Sequence, residues 1–212
     1  INQSAKSKSI TIKQNINFRE MSKNFWIVDG TPTDCMIFAL NHLFNKNKPD
    51  LILSGINAGS NIGDEVSYSG TVAAAWEGAV RGIDSIALSQ YGGDDKINSY
   101  ECSQAKGFDI INYLLKIKSQ TPRFYNVNFP FIISSNLENV KSSFTTLASQ
   151  KIADEILFDD DFSSFMIGRM INDHSSLINT DLECLKKNKI SITPLSLNLS
   201  NNEFFNKMNH DI

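Results

Sequence analysis

The sequence has little of what would assign it quickly. Cysteine is confined to Cys35, Cys102 and Cys184, an odd number at wide separations, with no paired spacing for a zinc knuckle or a disulfide lattice. A reduced, cytoplasmic compartment is the expectation. Long apolar runs are missing: Leu51–Leu53 is short and Ile110–Leu115 is interrupted by Asn112 and Tyr113, far below the roughly 20 residues of a bilayer crossing. An excess of positive charge is missing too. Lys and Arg number 20 against 23 Asp and Glu in 212 residues, a formal charge of -3, which argues against a nucleic-acid polymer as partner because a phosphate backbone is held by a basic surface. The chain opens on Ile1 rather than Met, and INQSAKSKSI has neither the apolar core nor the cleavage site of a signal peptide. The opening reads as cut. Asn, Ser, Lys and Ile are abundant without a low-complexity tract, a bias we ascribe to base composition rather than to disorder. The length suits one full domain, with or without a smaller appendage.

What is present has the texture of an α/β sheet. Residues 9–16 and Phe25–Val28 cluster β-branched and apolar side chains as short strands do, the second ending at the Asp29-Gly30 turn pair. Thr31-Pro32-Thr33-Asp34 then places a cap, a proline at the first helical position and an acid at the third, a capping-box start. The helix behind it, Cys35–Phe44, carries Met36, Ala39, Leu40 and Leu43 on one side. Leu51–Leu53 is expected as a buried strand of a parallel sheet. Further strands are expected at Ser85–Ser89 and Phe124–Phe129, with helices over Thr71–Arg81 and from about Asn98 to Lys118. This alternation predicts a Rossmann-like, mostly parallel sheet over 1–130. After Pro130 the texture changes to strand-like pieces at Phe144–Ala148, Glu155–Phe158, Phe162–Gly168 and Ile190–Thr193, with a short helix near Asn201–Met208. Residues 131–212 are therefore expected to form a β-rich extension that mediates oligomerisation.

Between the Leu51–Leu53 strand and the next helix lies GINAGSNIGDEVSYSG, residues 55–70, too rich in glycine to pack and placed where ligands collect in open α/β sheets. Ser69-Gly70-Thr71 opens the helix, so unpaired N–H groups and the positive end of the helix dipole face any anion there. A phosphate fits that chemistry. Gly70 admits it closely, and Ser69 and Thr71 add hydroxyls. An ordinary capped helix behind a glycine-rich turn would look the same. The loop has neither the Gly-Lys-Ser/Thr of a Walker motif nor the glycine spacing of a dinucleotide fold.

Several segments in order resemble the SurE family of 5′-nucleotidases: DGTPTDC from Asp29 to Cys35, SGINAGSN from Ser54 to Asn61, Gly63-Asp64, YSGT from Tyr68 to Thr71, AAAWEG from Ala73 to Gly78, IALS from Ile86 to Ser89, Asn126-Val127-Asn128, and SITPL from Ser191 to Leu195. The resemblance spans almost the whole chain. It implies a divalent-metal-dependent phosphomonoesterase (Mg²⁺ or Mn²⁺) that acts on nucleoside 5′-monophosphates, and a homodimer or homotetramer. It implies a metal site of two adjacent aspartates, a serine and an asparagine. Here the asparagine is Asn57 and the serine is Ser4, followed by Ala5 where the family has glycine. The aspartates have no counterpart and are expected to precede Ile1. Asn57, Asn61, Ser69, Gly70 and Thr71 are the expected substrate-phosphate residues. Neutral Ser and Asn oxygens bring no charge to a hard cation, so carboxylates matter. An impaired remnant of the family that keeps the cradle is the alternative, and a metal-free regulatory domain a third.

The remaining candidates carry plainer readings. His42 is expected at the surface, and His174 in a polar loop ahead of Thr180-Asp181, a pair that resembles one in the family although Asn179 stands where a glycine is usual. Asp159-Asp160-Asp161 is expected as a solvated loop, Cys35 as a structural thiol, and Asp64-Glu65 as loop carboxylates at the pocket's edge.

Overall fold

A computed structural model of the chain describes residues 8–92, 100–132, 134–148, 151–172, 178–201 and 205. Ser4, His174 and nearly all of the helix expected near Asn201–Met208 lie outside them. The elements are β1 (Phe18–Ser22), β2 (Phe25–Val28), α1 (Pro32–Phe38, continued by a π-helical turn Ala39–Leu43), β3 (Leu51–Ala58), α2 (Gly70–Val80), β4 (Asp84–Gln90), α3 (Glu101–Lys116), β5 (Phe124–Phe129), β6 (Ser142–Phe144), β7 (Lys151–Phe158), β8 (Phe165–Asn172), α4 (Asp181–Lys186) and β9 (Ile190–Pro194). A 3-10 turn, Gly63–Ser67, precedes α2.

The main sheet has the order β3-β4-β5-β9-β6. β3, β4 and β5 are parallel, and β9 runs antiparallel to β5. The expected mostly parallel Rossmann-like sheet is therefore present. It does not stop at residue 130, because β6 and β9 are two of its five strands. The antiparallel hairpins β1–β2 and β7–β8 stand apart from it.

The strand period of two sorts the core onto the two faces. Ile86, Leu88, Val127, Phe129 and Ile192 pack with Ile110 and Leu114 of α3. On the opposite face Ala87 and Phe124 meet Val72, Ala75 and Ala79 of α2. This helix lies close to the sheet because its contact side is made of alanines and Gly78; a Cβ on Gly78 would sit 2.2 Å from the Ile52 side chain. The long alanine run is thus a packing surface.

Two expectations need correction. Residues 9–16 contain no strand, since their polar groups go to α1: Thr31 Oγ1 donates to the Ser9 carbonyl at 2.7 Å, and the Thr11 N–H and hydroxyl donate to Asp34 at 2.9 and 2.7 Å. The expected buried strand at Leu51–Leu53 is an edge strand among the described residues, paired only to β4, with Leu53 49% exposed. An apolar run makes burial possible, but burial depends on neighbours across the sheet.

The far end of the sheet is tied by Arg123. Its guanidinium pairs with Asp84 at 2.6 Å and donates to the carbonyls of Leu115 and Ile117 at the end of α3. Arg123→Met is expected to lower stability by about 1–3 kcal/mol by stranding a half-buried carboxylate and two helix-end carbonyls. Chemical denaturation would show it, with Arg123→Lys recovering only part, because one ammonium cannot span that fan of acceptors.

Candidate functional site

The capping box anticipated at α1 is formed. The Thr31 hydroxyl accepts from the Asp34 N–H at 3.2 Å and Asp34 accepts from the Thr31 N–H at 2.9 Å. Burial alone would raise the Asp34 pKa, but hydrogen bonds from Thr11 and Thr31 outweigh it and hold the carboxyl below its ordinary value. The DGTPTDC segment is therefore a clamp on the chain around residues 9–11, and the Cys35 thiol beside it, raised by burial and by the Asp34 charge, is not an activated nucleophile.

β3 delivers the glycine-rich loop to the carboxyl ends of the parallel strands. Gly55, at φ +132, passes so near β4 that a Cβ would lie 2.3 Å from the Leu88 carbonyl oxygen, so only glycine fits. At the strand's end the Asn57 amide nitrogen donates to the Gly59 carbonyl at 3.0 Å. That bond turns the Asn57 amide oxygen away, and nothing among the described residues donates to it.

The next residues are held by polar side chains rising from the sheet. The Asn61 N–H donates to Asn128 Oδ1 at 2.8 Å, its side-chain amide donates to Ser89 Oγ at 2.7 Å, and its carbonyl accepts from Asn126 and Asn128 at 2.7 and 3.0 Å. Asn61 is only 7% exposed. These donors are committed within the protein, so its geometry is that of a residue positioning the loop. Asn126 and Asn128 are fully buried, and they are structural residues of the site that the sequence names only within the family resemblance. The available signal was two asparagines alternating with apolar residues in a strand otherwise bound for the core, since buried amides are kept where they have partners.

Beyond Asn61, Gly63 has φ +53 and a Cβ there would meet the Ala148 carbonyl oxygen at 2.3 Å. Its N–H donates to Asp181 Oδ2 at 2.8 Å, while Asp181 Oδ1 accepts from the N–H groups of Ala148 and Leu182, each at 2.9 Å. Asp181 is completely buried at the start of α4. The residue before its cap, Asn179, has φ +62, a left-handed conformation that asparagine tolerates better than most residues with a side chain. Burial raises the pKa of Asp181 in spite of its three N–H donors, and burial followed by the Asp181 charge raises that of Glu65. Glu65 accepts from the Ile62 N–H at 3.1 Å and so closes the 3-10 turn; Asp64 beside it is exposed.

The turn leads into α2. Ser69 is its N-cap, with Oγ accepting from the Val72 N–H at 3.1 Å and the Ser69 N–H donating to the Glu65 carbonyl at 3.0 Å. The N–H groups of Gly70 and Thr71 have no acceptor among the described residues. Gly70 does not have a positive φ, so its lack of a side chain matters for close approach and not for backbone angles. Asn57 and the Ser69–Thr71 helix start lie at the same end of the sheet, because α2 runs back from the end of β3 to the start of β4. The arrangement offers an oxyanion two free N–H groups, neighbouring hydroxyls and the positive end of an eleven-residue helix.

A metal ion asks for more. Among the described residues no group of three His, Cys, Asp or Glu side chains could hold one. Asn57 offers one neutral amide oxygen, suited to a hard cation, and the described residues do not complete the shell. The remaining candidates stay apart from this end of the molecule. His42 is exposed and stacks on Phe38 at 5.1 Å. Asp159 caps the exposed β7–β8 turn through Ser163 and Ser164, whose hydrogen bonds draw its pKa to about 2.

Fold and site together define an open α/β protein that presents a glycine-rich loop and a helix N-terminus at the carboxyl ends of its parallel strands. The chain belongs to the SurE family: the family model described as "Survival protein SurE" matches residues 1–154. It is 37% identical over 204 residues to the 5′-nucleotidase SurE of Paramagnetospirillum magneticum, covering 95% of this chain and 78% of that protein. Identity to the 5′-nucleotidase SurE of Vibrio parahaemolyticus is 34% over 210 residues, 98% of this chain and 79% of the relative. A crystal structure of the SurE protein from Aquifex aeolicus matches with a TM-score of 0.78 at 28% identity, across 96% of this chain and 82% of that one.

The Asp181 junction can be tested directly. Asp181→Asn puts an amide donor against an N–H donor and is expected to cost about 1–3 kcal/mol in thermal or chemical unfolding. The pH dependence has a defined sign. A raised carboxyl pKa means that the folded state binds the proton more tightly, so this group's share of stability is full below the unfolded value and falls as pH rises through the folded one. The stability gap between wild type and Asp181→Asn should therefore narrow as pH climbs above the ordinary carboxylate range.

Proposed function

We propose that the chain hydrolyses nucleoside 5′-monophosphates to nucleoside and phosphate. The observation that carries this is the pair of N–H groups at Gly70 and Thr71 that have no acceptor among the described residues, standing at the same sheet end as the Asn57 amide oxygen, in a family whose relatives are named 5′-nucleotidases. The substrate's phosphate seats on those two N–H groups, with the Ser69 and Thr71 hydroxyls beside it. The helix end favours charge on the phosphoryl oxygens, and the Asn61 and Asp181 clamps hold the donors in place so that they need not reorganise during transfer. Tests of substrate class use small phosphomonoesters; a nucleic-acid polymer is not part of this reading.

A divalent cation, Mg²⁺ or Mn²⁺, belongs to the proposal. It would supply charge neutralisation and an acidified water, with Asn57 as one neutral ligand and Ser4, by resemblance, as another. We further propose cytoplasmic residence, supported by the three unpaired thiols. Among the described residues no helix is long and apolar enough to cross a membrane.

Excess EDTA should abolish nucleoside monophosphate hydrolysis by the full-length gene product, and Mn²⁺ should restore it; undiminished turnover in EDTA would overturn the metal assignment. Asn57→Ala should lose activity that partly returns as Mn²⁺ is raised. Gly70→Val should stay inactive at every metal concentration with a near-native circular dichroism spectrum, because its side chain occupies the phosphate's place. Phosphate binding without any turnover would instead favour the remnant reading.

Assembly is proposed from the β7–β8 hairpin. Its cross-strand pairs Ile156–Ile167, Leu157–Met166 and Phe158–Phe165 alternate between the faces, and all six side chains are 45–64% exposed. A two-stranded ribbon that is apolar on both sides is marginal by itself and gains by burial against other copies. Light scattering should report a dimer or tetramer at tens of micromolar, and Leu157→Glu should shift it toward monomer. A monomeric wild type at that concentration would contradict the proposal.

A further inference from the structure

A cavity of about 760 Å³ lies beside α2, between that helix, the segment after β6 and the chain leaving β9. This volume is in the range of small-molecule sites. Its walls are chiefly apolar, with Val66, Val72, Trp76, Leu147, Leu195 and Leu199 contributing. Several hydroxyls that reach it are already engaged: Thr145 and Thr193 share a hydrogen bond of 2.8 Å, and Ser196 donates to the Asn198 carbonyl at 3.2 Å. A ligand with a polar body would find few partners there.

One charge stands at the mouth. Lys8 lines the cavity and places its ammonium 3.8 Å from the centroid of the Trp76 ring. Among the described residues it makes no ion pair, and no acidic side chain lines the cavity. Partial burial lowers the Lys8 pKa, as expected of a cation resting on an aromatic face without a counter-ion. An unpaired cation at the rim of an apolar cavity is complementary to a molecule with one anionic end.

We propose that this cavity binds a carboxylate with an apolar tail, the tail lying along Trp76 and the leucine-lined wall and the carboxylate pairing with Lys8. This rests on the cavity and on Lys8, and is independent of the nucleotidase reading. Decanoate is a suitable probe, and decanol a neutral counterpart of the same length.

Trp26 and Trp76 are the two tryptophans, so Trp26→Phe leaves Trp76 as the reporter inside the cavity. Decanoate, below its micellar concentration, should change Trp76 emission saturably with one site per chain. Decanol should bind roughly three- to tenfold more weakly, the worth of one partly desolvated charge pair. Lys8→Gln should bring decanoate down to the decanol level, and Lys8→Arg should keep most of the difference. Leu195→Phe, which narrows the cavity from the chain leaving β9, should abolish binding of both while phosphatase activity continues. No saturable change, equal binding of decanoate and decanol, or indifference of decanoate to Lys8→Gln would each overturn the proposal.

Discussion

A glycine-rich loop has no side-chain core of its own, so something outside it must hold its backbone still. Here that is done by buried polar side chains that accept from, or donate to, the main chain: Asn126 and Asn128 on β5 hold Asn61, and Asp181 on α4 holds Gly63. Each of these side chains bonds the loop's main chain, and each such bond is stronger for being away from water. Asp181 carries the greatest share, since its two oxygens join the loop, the segment after β6 and the first turn of α4. Its burial is costly enough to raise its pKa even with those donors in place.

This constraint reaches the chemistry through α2. The loop before the helix is held by side chains from β4, β5 and α4, while the N–H groups of Gly70 and Thr71 have no acceptor among the described residues and stand where the helix dipole is most positive. Packing repeats the same logic. The alanine and glycine side of α2 brings the helix onto β3 and β4, which sets where its N-terminus stands relative to the end of β3. A phosphate site built from backbone is only as accurate as the scaffold that fixes the backbone.

The two hairpins show what the sheet leaves over. β1–β2 touches α1 through an aromatic group in which Phe18 and Phe38 are 4.5 Å apart, although Phe18 is itself exposed. β7–β8 presents exposed apolar residues on both faces, and such a ribbon is stabilised chiefly by covering. The same chain therefore contains a loop whose backbone is held by buried polar side chains and a ribbon whose apolar surface is exposed.

Local physics was legible from the sequence. The Thr31–Asp34 capping box, β5 over Phe124–Phe129 and the helix opened by Ser69 depend on residues within a few positions of one another, and each is found where the residues place it. The family was legible for the same reason, because its motifs are short. What only the tertiary structure decided depends on pairs distant in sequence: Asn61 with Asn126 and Asn128 across 65 and 67 positions, and Gly63 with Asp181 across 118. The strand expected at 9–16 was lost because Ser9 and Thr11 give their polar groups to α1, and Leu53 is exposed because β3 has one described neighbour. Hydrogen-bond partners and burial are properties of what comes alongside a segment, and a segment read by itself carries its periodicity and its caps but not its neighbours.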